Sequence, residues 1–507
     1  MTSTSEQNRL TRRKFLGYVG LGIGAATLSG CGIFGQGSTT ATRTLPTFPH
    51  ATSTGQTRSY TFEAAPMQLN LGGKNISTWG FNGGLPGPEV RINAGDTLKV
   101  TVQNRLPATE GVTVHWHGVP LVNDMDGVPD VTQKAIALGS DFVYSFVAPT
   151  SGTFFYHSHV GLELDRGLYG PLIIESPGEA KNYDYDYVLV LDDWLDGING
   201  TPDDEMKKLI AGGDRMSGLG SMGNGKSMSG MGSSGNSAPA QYPPDIVYPL
   251  YLINGHTSDQ PQQLTMAKGQ RARIRLINAS GTTIYHVALQ GHRMTVTHTD
   301  GQAVKPVEVD AIRIGMGERY DVLVTANNPG VWQLAALAEG TNQIARAVLR
   351  YQGSKAALPP ATYQPSELMG QYLSYTMLKA ALGTFTPPNM TPDTTIPINM
   401  TGGNGQYVWK INNQVYPNAQ PIDIQQMKLV RFQFVNTTMM PHPMHLHGHF
   451  FQVDNGHGSG PMKDTVIVDP MQKVTVNWIS DNPGAWAFHC HNVYHQVAGM
   501  MRVVKVG

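Results

Sequence analysis

Ten of the 17 histidines fall in four short clusters, and one of only two cysteines sits inside the last of them. The clusters are His115-Trp116-His117, His157-Ser158-His159, His442-Pro443-Met444-His445-Leu446-His447, and His489-Cys490-His491 with His495 and Met500 close behind. In a strand, residues i and i+2 share a face, so a His-x-His pair aims two imidazoles at one point. One such pair is weak evidence, but four at matched positions near the two ends of the chain point to bound metal. The same alternation sends Cys490 to one side of its strand and its two neighbours to the other, so one thiolate links two metal centres. Cysteine, two histidines and a distant methionine, here Cys490, His442, His495 and Met500, form the ligand set of a trigonal blue-copper site with a weak axial thioether. Zinc would want a closed tetrahedral set and has no use for redox wiring.

The elements that position these side chains are legible as a triplication. Gly95–Asn104, Gly269–Asn278 and Met427–Asn436 each alternate apolar with polar residues and stop at asparagine, the pattern of a strand with a buried face closed by a turn former. A second element follows in each copy, at Gly152–His157, Gly330–Ala335 and Gly484–His489, with Asn-to-Gly intervals of 48, 52 and 48 residues. Where the first and third copies carry histidines at this element, the second reads Ala335-Ala336-Leu337. The expectation is an all-β protein of three Greek-key β-sandwich domains, over residues 60–178, 183–352 and 365–507, with the middle one a spacer.

Length and composition agree. The 507 residues suggest about three domains, and 58 glycines with 33 prolines imply many turns and short strands. The net charge of -1 supplies no field for nucleic acid. Two cysteines, Cys31 and Cys490, exclude a disulfide framework. Residues 1–31 read as an export signal: a twin-arginine pattern, Thr11-Arg12-Arg13-Lys14-Phe15-Leu16, then a weakly apolar run ending in Leu28-Ser29-Gly30-Cys31. That ending resembles the bacterial lipobox, which implies acylation of Cys31 and a lipid anchor in the membrane on the exported face. Residues 32–59 read as a flexible tether.

The four motifs together resemble those of three-domain multicopper oxidases, of the bacterial laccase and cuprous oxidase branch, over the whole mature region. The resemblance implies cupredoxin-like domains and four coppers. It implies a type 1 copper on His442, Cys490 and His495 with Met500 axial, and a type 2 copper on His115 and His445. The type 3 pair it implies is held by His117, His157 and His491 on one ion and by His159, His447 and His489 on the other. The implied reaction is four one-electron oxidations at the type 1 site, passed through Cys490 to a trinuclear cluster that reduces O2 to water. Asp126, eleven residues after His115, matches the family's carboxylate beside the cluster. Related enzymes often carry a glutamate directly after the last type 1 histidine. Here that residue is Gln496, an amide that cannot donate a proton at neutral pH.

Two features bear on the reductant. Met206, Met216, Met222, Met228 and Met231 lie in a run, 206–231, that is Gly- and Ser-rich and reads as unable to form a core. Soft thioethers favour Cu(I), and Met439 and Met440 place two more beside His442. The expectation is a monomeric cuprous oxidase with side activity on phenols. A laccase that uses small aromatic reductants is the alternative, and an inactive relative of the same fold is a third. An inactive relative should lack ligands that this chain retains. His50, His256, His286, His292, His298, His449 and His457 receive no role, His286 reading as a relic of the lost site.

Overall fold

The computed structural model describes residues 45, 47, 50–107, 111–212, 238–381, 390–403 and 405–507. The twin-arginine segment, Cys31 and the methionines Met216, Met222, Met228 and Met231 lie outside them.

The three alternating segments are strands Thr97–Asn104, Arg271–Asn278 and Leu429–Asn436, all ending on the asparagine. That residue does more than end a strand. The Oδ1 atoms of Asn104, Asn278 and Asn436 accept from the backbone N–H two residues on, at 2.9, 3.0 and 2.8 Å. Their Nδ2 atoms donate to the carbonyls of Ile136, Ile314 and Val468, at 2.7, 3.0 and 2.9 Å. One amide thus makes the turn and ties it to a segment far along the chain.

Around these strands the three copies share one topology. In the third, one sheet runs Trp409–Ile411, Thr394–Gly402, Leu429–Asn436, Lys473–Ile479, Phe451–Val453, Met462–Lys463. The other runs Ile422–Ile424, Met501–Val506, Gly484–Cys490, His442–Leu446, Thr465–Val468. The second copy has the same order in sheets of six and five strands. The first keeps only Lys74–Phe81, Thr57–Leu71, Thr97–Asn104, Asp141–Val147 against Val90–Asn93, Tyr169–Glu175, Gly152–His157, His115–His117. In all three, the first sheet contains a parallel pair of strands, which antiparallel hairpins cannot make, so the chain crosses between sheets. These are cupredoxin-like β-sandwiches, as the sequence predicts.

The middle copy departs from simple alternation. Arg271–Asn278 is buried on both faces after its first residue, because its outer face meets the first domain. Its buried Arg273 and Arg275 are therefore paired, both with Asp321 and the latter also with Asp186.

Candidate metal centre

Strand pairing sets the histidines in register twice over. His115 lies opposite His157 on neighbouring strands of the first domain, and His445 opposite His489 in the third. The two domains then interleave: the ring of His115 stacks on His447 and that of His117 on His445, each pair with centroids 3.8 Å apart. Three all-histidine sets of donor atoms result, each within 4.8 Å of one another: His117, His157 and His491; His159, His447 and His489; and His115, His117 and His445, with Asp126 within the same distance of His115 and His447. A fourth set is His442, Cys490 and His495, all buried. Alternation along Gly484–Cys490 and beyond thus separates Cys490 from His489 and His491, as the sequence predicts.

Six of the eight rings are held through their outer nitrogen by a carbonyl or carboxylate. His115 Nδ1 lies 2.8 Å from the Asp126 carbonyl, His157 Nδ1 2.8 Å from that of Ser158, His445 Nδ1 2.9 Å from that of Asp464, and His489 Nδ1 2.9 Å from that of Cys490. His447 Nδ1 meets Asp126 Oδ2 at 2.9 Å, and His117 Nε2 meets Asp464 Oδ1 at 3.2 Å. A carbonyl or carboxylate partner takes the ring proton and leaves a lone pair on the inner nitrogen. Burial, reinforced by the neighbouring imidazoles, pushes His117, His157, His159, His447, His489 and His491 well below the ordinary histidine range, which keeps them neutral.

The inner nitrogens face one another. His447 Nε2 and His489 Nε2 are 3.0 Å apart, and His117 Nδ1 and His491 Nε2 3.2 Å. Among the described residues, the buried Nε2 atoms of His115, His157 and His445 have no hydrogen-bond partner. Converging neutral acceptors with nothing to accept suit cations. At the fourth set Cys490 Sγ is 3.5 Å from His442 Nδ1 and 3.7 Å from His495 Nδ1. Burial pushes its thiol up, so a thiolate there calls for a cation to stabilise it.

Three profiles described as Multicopper oxidase match residues 54–179, 186–354 and 389–507. The chain belongs to the multicopper oxidase family. It is 41% identical to Multicopper oxidase MmcO of Mycobacterium tuberculosis, over 98% of this chain and 96% of that one. It is 27% identical to Copper resistance protein A of Pseudomonas syringae pv. tomato, over 87% and 91%. In structure it is similar to a laccase from Botrytis aclada, with a TM-score of 0.73 and 24% identity over 90% of this chain and 88% of that one, a likeness of fold. As a multicopper oxidase the chain is a copper-dependent oxidoreductase, and the donor sets above fit that metal.

The multicopper oxidase departs from its sequence reading in several places. The middle domain is no mere spacer: its Asp245 takes His495 Nε2 through Oδ2 at 2.7 Å, and the same oxygen accepts from Tyr407 Oη at 3.0 Å and Asn492 Nδ2 at 3.3 Å. Asn492 also caps the short helix Val493–Val497 that carries His495. Thr438 meets His442 Nε2 at 2.8 Å through its hydroxyl. Met440 is packed in the core, so of the pair beside His442 only Met439, 49% exposed, faces solvent. Met206 also packs in the core, on helix Pro202–Gly212 with Leu209, rather than standing free in a soft-donor run. Met500 is buried and its carbonyl accepts from Cys490 N–H at 3.1 Å. Gln496 places its amide nitrogen 3.5 Å from His159 Nδ1. His286 is no relic ligand: it lies one place past Tyr285, which pairs with Ile314 as His442 pairs with Val468, and it meets Glu339 at 2.9 Å.

Proposed function

We propose that the protein is an exported cuprous oxidase that couples oxidation of Cu(I) to reduction of O2, with phenols as secondary reductants. The balanced reaction takes four Cu(I), one O2 and four protons to four Cu(II) and two waters. When bound, copper supplies one-electron redox at the Cys490 set and four-electron reduction of O2 at the histidine sets. His442, Cys490 and His495, with Met500, hold the type 1 ion; His115 and His445 hold type 2; His117, His157 and His491, and His159, His447 and His489, hold the type 3 pair.

The observation that carries the choice of reductant is Asp245. One carboxylate oxygen is bonded to His495 Nε2, while Oδ1 has no hydrogen bond to any described residue. Trp409 and Tyr407 cover the rest of the site, Trp409 lying on the His495 ring with centroids 4.1 Å apart. An aromatic substrate therefore meets covering side chains before it meets the histidine, whereas the Asp245 side chain, itself only 7% exposed, leaves a narrow approach by which a small cation reaches a carboxylate wired to that histidine by one hydrogen bond. The exposed thioether of Met439 adds a soft donor. Cys490 is the covalent link onward, one residue from His489 and from His491. On the O2 side Asp126 holds His447, and Gln496 leaves His159 without an acid, so proton delivery falls to carboxylates.

The name of Copper resistance protein A supports this reading, and the twin-arginine segment and Cys31 support export and anchoring. The test is O2 consumption by copper-loaded protein fed Cu(I) or a simple phenol, in wild type, Asp245→Asn and a deletion of 213–237. Cu(I) turnover should fall 10-fold or more in Asp245→Asn and clearly further than phenol turnover, since both pass through His495 but only Cu(I) uses the second carboxylate oxygen. Dominant phenol turnover, unchanged in both variants, makes the enzyme a laccase instead.

A further inference from the structure

The middle domain reaches the histidine cluster as well as His495. Its turn 315–319 is driven into the seam between the outer domains. A Cβ on Gly317, whose φ is +81°, would stand 2.9 Å from His117 Cε1 and 2.9 Å from His491 Cδ2, so the glycine backbone packs against two imidazoles from different domains. Two residues on, Arg319 is wholly buried. Its Nη1 and Nη2 donate to the two oxygens of Asp464 at 2.8 and 2.7 Å, its Nε to the Thr153 carbonyl at 3.1 Å, and Nη1 also to the Gly317 carbonyl at 2.8 Å. One guanidinium therefore ties the first, second and third domains together. Gly118, next to His117, leaves the room for it: a Cβ there would collide with Arg319 Nη2 and Asp464 Oδ2.

Asp464 passes the constraint on. Its Oδ1 meets His117 Nε2 at 3.2 Å and accepts from the Thr465 hydroxyl at 2.8 Å, which lies 3.1 Å from His445 Nδ1. From the other side Asp300 Oδ2 accepts from the Asp464 and Thr465 N–H groups, both at 3.2 Å, and pairs with Lys463 at 3.0 Å; Lys463 also pairs with Glu318 at 3.1 Å. Breaking such a buried pair leaves a charge with no partner, so the arrangement has one stable geometry.

We infer that the Gly317-Glu318-Arg319 turn is a positioning element for the histidine cluster, Arg319 fixing Asp464 so that His445 points its free nitrogen at the type 2 ion and His117 at the neighbouring type 3 ion. The inference rests on the ligand assignment proposed above. A lysine cannot replace this arginine, since one ammonium cannot span both carboxylate oxygens and the Thr153 carbonyl together.

The experiment measures copper per chain, the type 2 electron paramagnetic signal, the chelator concentration that strips copper, and the blue band of the Cys490 centre. It compares wild type with Arg319→Gln, Arg319→Lys and Gly317→Ala. Wild type should hold four coppers; fewer, with no type 2 signal, overturns the ligand assignment rather than this inference. Given four, Arg319→Gln should keep the blue band but lose copper from the cluster at a 10- to 100-fold lower chelator concentration, with Arg319→Lys between the two. Gly317→Ala leaves every charge in place and should distort the cluster signal with the blue band intact. Wild-type copper content and signals in both Arg319→Gln and Gly317→Ala overturn the inference. So does loss of the blue band in every variant, which makes the turn a general support of the fold.

Discussion

His447 Nδ1 lies 2.9 Å from Asp126 Oδ2, a hydrogen bond that joins a histidine of the third domain to a carboxylate of the first. The Asp126 carbonyl meanwhile holds His115 Nδ1 at 2.8 Å, so one residue orients two rings by two different atoms. Side-chain changes remove the first, together with the 3.2 Å approach of Asp126 Oδ1 to His115 Nδ1, and leave the carbonyl in place. Asp126→Ala should strand a buried ring N–H and cost the metal-free protein about 1–3 kcal/mol in urea unfolding. Asp126→Asn keeps an acceptor but loses the charge, and should lower turnover roughly 10- to 100-fold. Unchanged turnover in Asp126→Asn would show that the carboxylate only orients the ring.

The asparagine corners give a matched pair of variants. Asn436 donates to Met440 and Val468 and accepts from Thr438, whose hydroxyl holds His442. Asn278 makes the equivalent bonds to Thr283, Ile314 and Ser280 in the copy without histidine ligands. Replacing either by alanine should destabilise by about 2–4 kcal/mol, since several buried partners are left unpaired. Only Asn436→Ala should also shift the blue band, through Thr438. Equal spectra in the two variants would mean that Thr438 holds His442 without help from the corner.

Asp321 predicts an acid limb to the stability curve. Burial alone would raise its carboxyl, but Arg273 and Arg275, and then His298 and the Thr153 hydroxyl, hold it at about 2 against an ordinary 3.8. Between those values the unfolded chain binds more protons than the folded one. The contribution is therefore complete above pH 3.8 and is lost as pH falls toward 2, and at about 1.4 kcal/mol per unit it amounts to roughly 2–3 kcal/mol. Asp321→Asn should cost about 3 kcal/mol at neutral pH by leaving two buried arginines short of a partner, and should flatten the acid limb in denaturant titrations at stepped pH.

What the sequence made legible was whatever repeats or alternates. The strands ending at Asn104, Asn278 and Asn436 and the opposed placement of Cys490 and His489 follow from local periodicity, which a single chain displays. Asp245, Asp464 and Arg319 were invisible because their partners lie across domain seams, 250 residues away for Asp245 and His495. No spacing rule reaches that far, which is why the middle domain read as a spacer. Met206 differs, since its position is marked by a local signal. Thr201 caps Asp204 N–H at 3.2 Å, proline follows at 202 and the first turn is acidic, the start signature of a helix. Met206 belongs to that helix and not to the glycine-rich run that follows it in sequence.

The triplication also exposes two positions where the third domain departs from its siblings. Two residues before the strands Thr97–Asn104, Arg271–Asn278 and Leu429–Asn436 stand Gly95, Gly269 and Met427, with φ of +88°, +86° and +58°. Two residues before Asp141–Val147, Arg319–Thr325 and Lys473–Ile479 stand Gly139, Gly317 and Met471, with φ of +75°, +81° and +60°. Left-handed backbone costs a side-chain-bearing residue about 1–2 kcal/mol, and glycine loses roughly 0.5–1 kcal/mol more chain entropy on folding. The two methionines are 42% and 60% exposed, so packing offsets little of that cost. Met427→Gly and Met471→Gly should each stabilise the protein by about 0.5–1 kcal/mol, read as a rise in the urea midpoint at constant slope. A fall in the midpoint would show that these side chains contribute contacts worth more than the backbone strain they impose.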